Sequence, residues 1–209
     1  MPLSQKYTQV TKSVPAESWL TFILIGACCS VAYSNSFQVP AIFDDYASLI
    51  ENIPIRTLSS LIPIVSAPNT VGLAWRPLTN ISFALTYAVS GLNPWAHHLF
   101  NLCIHILTAG VLFGVIHRTL SKIKNLAIAS EASLLSASIS LIWVVHPLQT
   151  QTVTYISQRC ESLAALFYLL TLYSFIRAVP SNQNKWLILS VLSFSCGILC
   201  KEIIITIPC

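Results

Sequence analysis

Long apolar runs separated by short polar patches dominate this chain. The first run is free of charged residues from Ser18 to Phe43 and contains "WLTFILIGACCSVAYSNS" from Trp19. The second has no Lys, Arg, Asp or Glu from Pro77 to His117, but "GLNPWAHH" at 91–98 divides it. A membrane-crossing helix needs about 20 mostly apolar residues. "PLTNISFALTYAVS" (77–90) is short of that, whereas "HLFNLCIHILTAGVLFGVIH" (98–117) is long enough. Three more runs follow: 126–145, ended by His146-Pro147; 153–176, from Val153; and 186–207, from Trp186.

The pattern predicts an all-α, multi-spanning membrane protein. A polar N-terminus covers 1–17 and transmembrane helices cover 18–36, 98–117, 126–145, 153–176 and 186–207. An external loop covers 37–97. Composition agrees: the chain is 55% hydrophobic and 9% charged, with a mean hydropathy of +0.71, against about 25% charged residues in a soluble domain. A secretory signal has an apolar core of only ~7–15 residues, so the first run reads as a retained anchor. No basic run interleaved with aromatics is present, which excludes a nucleic-acid groove.

Loop charge orients the helices. If 77–90 lies along the surface instead of crossing, there are five spans, and Lys6, Lys12, Arg118, Lys122, Lys124, Arg177 and Lys185 share one side. That is seven of the eleven basic residues, and the positive-inside rule makes this side cytoplasmic. Were 77–90 to cross, the later basic loops would fall outside. The segment is therefore expected to be an interfacial amphipathic helix. Trp19, Trp75, Trp95, Trp143 and Trp186 sit near predicted helix ends as interface anchors.

Asp44, Asp45, Glu51, Arg56, Arg76, His97, His98 and His146 then lie at the external face. Arg159 and Glu161 fall in the first turns of the 153–176 helix, and Lys201 and Glu202 late in the 186–207 helix, toward the same face. An ionisable side chain at the centre of a spanning helix costs about 2.5–3.5 kcal/mol, so such residues mark function. Arg159 and Glu161 are two positions apart and do not face one another on a helix, so they are expected to serve different partners. Cations such as Arg159 and Lys201 suit a departing phosphate, and a carboxylate suits removal of a proton from an acceptor hydroxyl. In an adjacent pair, one aspartate raises the basicity of the other. A lipid-linked phosphosugar presents that combination at a membrane surface.

The motifs "FDDY…EN", "RPLTNISFALTYAVSGLNPWAHHLFNLCIH", "HPLQTQTVTYISQRCESLAALFYLLTLY" and "CKEIIITIP" resemble, in order from about residue 40, the N-terminal part of tetratricopeptide-repeat-linked membrane O-mannosyltransferases. These belong with the C-type glycosyltransferases. The resemblance implies a polyprenyl-phosphate sugar donor, an acceptor protein and no further cofactor. It makes Asp44 the base, with Asp45 beside it. Arg159, Glu161 and Lys201 fall where relatives place polar residues near the donor phosphate and acceptor, with Arg76, His97 and His98 as further substrate-binding candidates. Gln151 departs from the Glu common there. The family's later spans and repeats are absent, so the chain is expected to be a fragment without independent activity. It is placed in a bacterial inner membrane or the endoplasmic reticulum membrane, with membrane lipid as a partner.

Two other readings stay open: a transporter or channel fragment, which places Glu161 and Lys201 near the membrane midplane, and an inactive scaffold. No metal site is expected. His98 and His105 share a helical face without a third ligand at suitable spacing. The seven cysteines, Cys28, Cys29, Cys103, Cys160, Cys196, Cys200 and Cys209, make no CxxC pair and read as small hydrophobes. The sequon at Asn80 is discounted because it lies inside the interfacial segment.

Overall fold

The computed structural model describes residues 18–57, 76–123, 126–181 and 183–207. The N-terminal stretch with Lys6 and Lys12, the 58–75 part of the expected external loop with Trp75, Lys124 and Cys209 lie outside the described residues. Every regular element among the described residues is helical. In chain order the α-helices are α1 (Ser18–Ala32), α2 (Pro77–Ser90), α3 (Pro94–Leu120), α4 (Leu126–Ser130), α5 (Ala132–Val144), α6 (Thr150–Thr154), α7 (Arg159–Ser181) and α8 (Asn184–Ile198).

Helix α3 starts where its local sequence dictates. Asn93 accepts the Trp95 N–H at 3.1 Å, and Pro94 occupies the first turn, where its missing N–H costs nothing. Gly91, at φ 59°, supplies the reversal between α2 and α3. At 27 residues, α3 begins before the expected 98–117 and carries His97 inside it.

Among the described residues, two stretches are long and apolar enough to cross a membrane, Pro94–Leu120 and Ile156–Val179. The count is three if α5 and the 147–154 segment are taken as one span bent by 53°. The bend follows from Pro147, which holds His146 in an extended conformation, φ −65° and ψ 134°. The expected continuous helix over 126–145 is broken at Glu131, leaving α5 with 13 residues. The 153–176 helix begins instead at Arg159, after the short α6 and a 3-10 turn at 156–158.

The 186–207 run is not one helix either. Helix α8 ends at Ile198, Lys201 is extended at φ −163°, and Glu202–Thr206 forms a 3-10 turn. This turn folds back onto α8. A Cβ on Gly197 would stand 2.9 Å from Ile204 Cδ1 and Cγ1, and Ile204 is fully buried. Gly197→Ala is expected to destabilise the chain by about 1–3 kcal/mol through overpacking, read as a lowered unfolding midpoint in detergent. Ile204→Ala in the same background should recover part of the loss.

Long-range contacts arrange the longer helices alternately up and down. Phe22 of α1 meets Phe113 near the far end of α3, with ring centroids 5.8 Å apart. Tyr33, after α1, reaches the Val144 carbonyl at the end of α5. His105 bonds that same oxygen at 3.0 Å, so a helix-end carbonyl without an intrahelical partner gains two donors. Ser190 of α8 donates to the Thr171 carbonyl of α7. Helix α2 turns its polar side inward: Thr79, Asn80, Ser82 and Thr86 are buried, while Leu85 and Val89 are exposed. Asn80 is 2% exposed and accepts from Asn52, consistent with discounting the sequon.

Candidate functional site

The acidic motif sits on a loop fastened to the start of α7. Leu49 and Ile55 pack with Phe83, Ala84 and Ile156, which roots the loop in apolar contacts. Asp45 is 1% exposed. Its Oδ1 accepts the Ser157 N–H at 2.7 Å and its Oδ2 accepts the Ile42 N–H at 3.3 Å. It therefore closes its own turn and caps the helical segment leading into α7, where a negative charge is favoured. Asp44 is the opposite case. Its backbone N–H donates to the Tyr155 hydroxyl at 2.9 Å, while the residue itself is exposed. Phe43, just before it, holds φ at 44° with 84% of its surface exposed. A bulky residue in the left-handed region stores strain that its surroundings must maintain. The two aspartates thus have separate situations, one carboxylate consumed by the backbone and one presented outward.

Arg159 is placed differently from the expected phosphate-facing cation. It is 0% exposed. Its Nε–H donates to Asn101 Oδ1 at 2.8 Å, and one terminal nitrogen donates to Thr86 Oγ1 and the Ser82 carbonyl. The other nitrogen donates to the His97 carbonyl at 3.0 Å and approaches His97 Nδ1 at 3.4 Å. Phe83 and Phe100 flank the guanidinium at 4.2 and 4.7 Å. A guanidinium has five N–H donors, and this geometry engages all of them. Arg159 joins α2, α3 and α7 into one unit.

His97 and His98, expected as substrate-binding candidates, are buried. His97 Nε2 pairs with the Gly91 carbonyl at 3.1 Å and His98 Nε2 with the Val39 carbonyl at 3.0 Å. Donation from Nε2–H to Gly91 leaves His97 Nδ1 as the acceptor facing Arg159, so one tautomer serves both contacts. These rings tie the start of α3 to the chain at Val39 and at Gly91.

Glu161 and Lys201 form an ion pair, with the side chains 36% and 26% exposed. Arg159 and Glu161 do serve different partners. Arg76, half-buried, donates to Cys160 Sγ at 3.3 Å, and the Leu78 N–H reaches the Leu199 carbonyl at 3.3 Å. Residues 157–161 thus meet Asp45, Arg76 and Lys201 within five consecutive positions. Among the described residues there is no group of three or more His, Cys, Asp or Glu side chains placed to hold a metal.

Sequence reasoning missed Tyr155, Asn101 and Thr86. A signal existed for two of them. His97, Asn101 and His105 recur every fourth residue of α3, and Thr79, Ser82 and Thr86 line one side of α2; polar stripes in apolar runs mark inward faces. Tyr155 carried no comparable signal.

Residues 76–209 match the family model described as dolichyl-phosphate-mannose-protein mannosyltransferase. The chain is 28% identical to Protein O-mannosyl-transferase TMTC4 of Homo sapiens, over 88% of this chain and 28% of that protein. It is 29% identical to Protein O-mannosyl-transferase Tmtc3 of Drosophila melanogaster, over 99% of this chain and 25% of that protein. The chain thus spans less than a third of the length of these curated relatives. No solved structure matches it.

Proposed function

From the premise that this chain belongs to the dolichyl-phosphate-mannose-protein mannosyltransferase family, we propose that it forms the acidic-loop end of a membrane glycosyltransferase. The enzyme moves mannose from a polyprenyl-phosphate donor to a protein hydroxyl. The observation that carries this reading is the exposed Asp44 on a loop pinned by Tyr155 and Ser157, just ahead of Glu161, which pairs with the half-buried Lys201.

The reaction is a single displacement. Asp44 takes the hydroxyl proton as the acceptor oxygen bonds to the anomeric carbon. The bond from that carbon to the phosphate oxygen breaks on the opposite side, and the electron pair leaves with the phosphate. The configuration inverts. Lys201, steadied by Glu161, and Arg76 neutralise the leaving phosphate, while Arg159, His97 and His98 keep the supporting helices in place. Glu161 lies in the first turn of α7 and not halfway along it, which favours surface chemistry over a transport pathway.

In the proposed topology α1, α3, α5, α7 and α8 cross alternately, the shorter ones within locally thinned bilayer. The N-terminus is cytoplasmic and the acidic loop faces the endoplasmic reticulum lumen or the periplasm. The test is donor choice by the longer protein that contains this chain, reconstituted with an acceptor protein. Radiolabelled mannose should reach the acceptor from polyprenyl-phosphate mannose. Equal transfer from GDP-mannose without any lipid carrier would overturn the assignment.

A further inference from the structure

A second site lies at the other end of α3. His98 and Arg118 are 20 positions apart, about 30 Å along a helix at 1.5 Å per residue, which matches the hydrocarbon thickness of a bilayer. Near Arg118, helices α1, α3 and α7 enclose a cavity of about 350 Å³ lined by Phe22, Leu107, Gly110, Gly114, Arg118 and Tyr173 among others. That is at the small end of the roughly 300–1,000 Å³ usual for ligand sites.

Two glycines bring the walls together: a Cβ on Gly110 would stand 2.8 Å from Phe22 Cε1, and one on Gly114 would stand 2.8 Å from Tyr173 Cε2. Leu107, on the rim, is 59% exposed, so the cavity opens sideways on the face of α3 that a membrane would cover.

The polar end of this cavity is unusual. Arg118 Nε is buried with no hydrogen-bond partner among the described residues, while the guanidinium stands over the Tyr173 ring at 5.3 Å. A buried orphan donor on a cation calls for an acceptor. The surroundings are basic as well. Arg177 donates to the Tyr173 hydroxyl and stacks on Trp186 at 3.8 Å, Lys122 reaches the Ile176 carbonyl, and Lys185 lies near Trp186. Glu131 is the one carboxylate of the adjoining connection.

We infer that this groove binds one anionic membrane phospholipid, its phosphate on Arg118 and an acyl chain between Phe22, Leu107 and the α3 glycines. An apolar slot open to the bilayer and ending in an unpaired cationic donor matches an amphiphile with an acidic head. Basic pockets between spanning helices hold such headgroups. The site is independent of the acidic loop and of the sugar donor.

The test uses the full chain in phosphatidylcholine vesicles with and without phosphatidylglycerol, followed by native mass spectrometry of lipid retained after detergent extraction. One phosphatidylglycerol per chain should be retained in preference to phosphatidylcholine. Arg118→Gln should weaken retention about fivefold, the factor for one basic residue at an anionic surface. Leu107→Trp, at an exposed rim position, should block the tail without altering charge, and it decides the matter if Arg118→Gln misfolds. Asp44→Asn should retain lipid normally. Equal retention of both lipids, or retention unchanged in Leu107→Trp, would overturn the inference. So would displacement of phosphatidylglycerol by polyprenyl phosphate, or loss of retention in the longer protein, where another protein segment would then fill the groove.

Discussion

Asp44→Asn in the longer protein removes mannosyl transfer and leaves the fold intact. The structure separates these two effects. The backbone N–H of Asp44 is held by the Tyr155 hydroxyl, and asparagine keeps that N–H. The side chain is exposed and replaces no internal contact. What disappears is the proton acceptor. A positioned general base contributes about 10²–10⁴-fold to rate, so transfer should fall by that range while the unfolding midpoint stays put. Asp45→Asn should do the reverse. Its carboxylate accepts two backbone N–H groups, so this change should lower stability and blur the loop before it touches the chemistry. Near-normal transfer by Asp44→Asn would remove Asp44 from the role of base.

Arg159→Ala is expected to be the most destabilising single change in the chain. It strands Asn101 Oδ1, removes one donor each from the His97 and Ser82 carbonyls and the Thr86 hydroxyl, and empties the space between Phe83 and Phe100. Hydrogen bonds to a charged group contribute about 1.5–3 kcal/mol each. Even with partial relaxation the loss should exceed about 3 kcal/mol. Arg159→Lys should rescue little, since an ammonium cannot span the same acceptors or stack between two rings. Denaturation in mixed detergent micelles measures the effect. A loss below about 1 kcal/mol, the size of an exposed ion pair, would show that the guanidinium is not the clasp described here.

The contrast between Asp44 and Arg159 also marks where hydropathy stopped being informative. Charges are costly in apolar surroundings, so their positions along the chain were conspicuous, and the apolar runs located the helices. Cost alone does not say how a charge is accommodated. Arg159 is satisfied by partners 58 to 77 positions away, and the polar stripes of α2 and α3 mark inward faces without saying which cation they meet. Helix ends were misplaced for a related reason. The run at 186–207 is apolar on both sides of Lys201-Glu202, yet the backbone turns after Ile198, ahead of that pair, and the turn at 202–206 packs on Gly197. Apolar residues on both sides of such a pair look the same whether the chain continues straight or folds back on itself. The 77–90 helix was legible as a short element, but its inward polar side became intelligible only with Arg159 beneath it. Tyr155 was invisible because what it holds is a backbone N–H, and every residue but proline has one.

The bond between Asp45 and Ser157 joins positions 112 residues apart, which gives the acidic loop a history as well as a geometry. At about 5–20 residues per second, a ribosome needs on the order of 6–20 s to get from one to the other. For that interval the loop has its sequence but not its clasp. The nascent chain therefore acquires a competent acidic loop late, when the start of α7 arrives, and a stall between these two codons would leave a membrane-inserted intermediate with its aspartates unset.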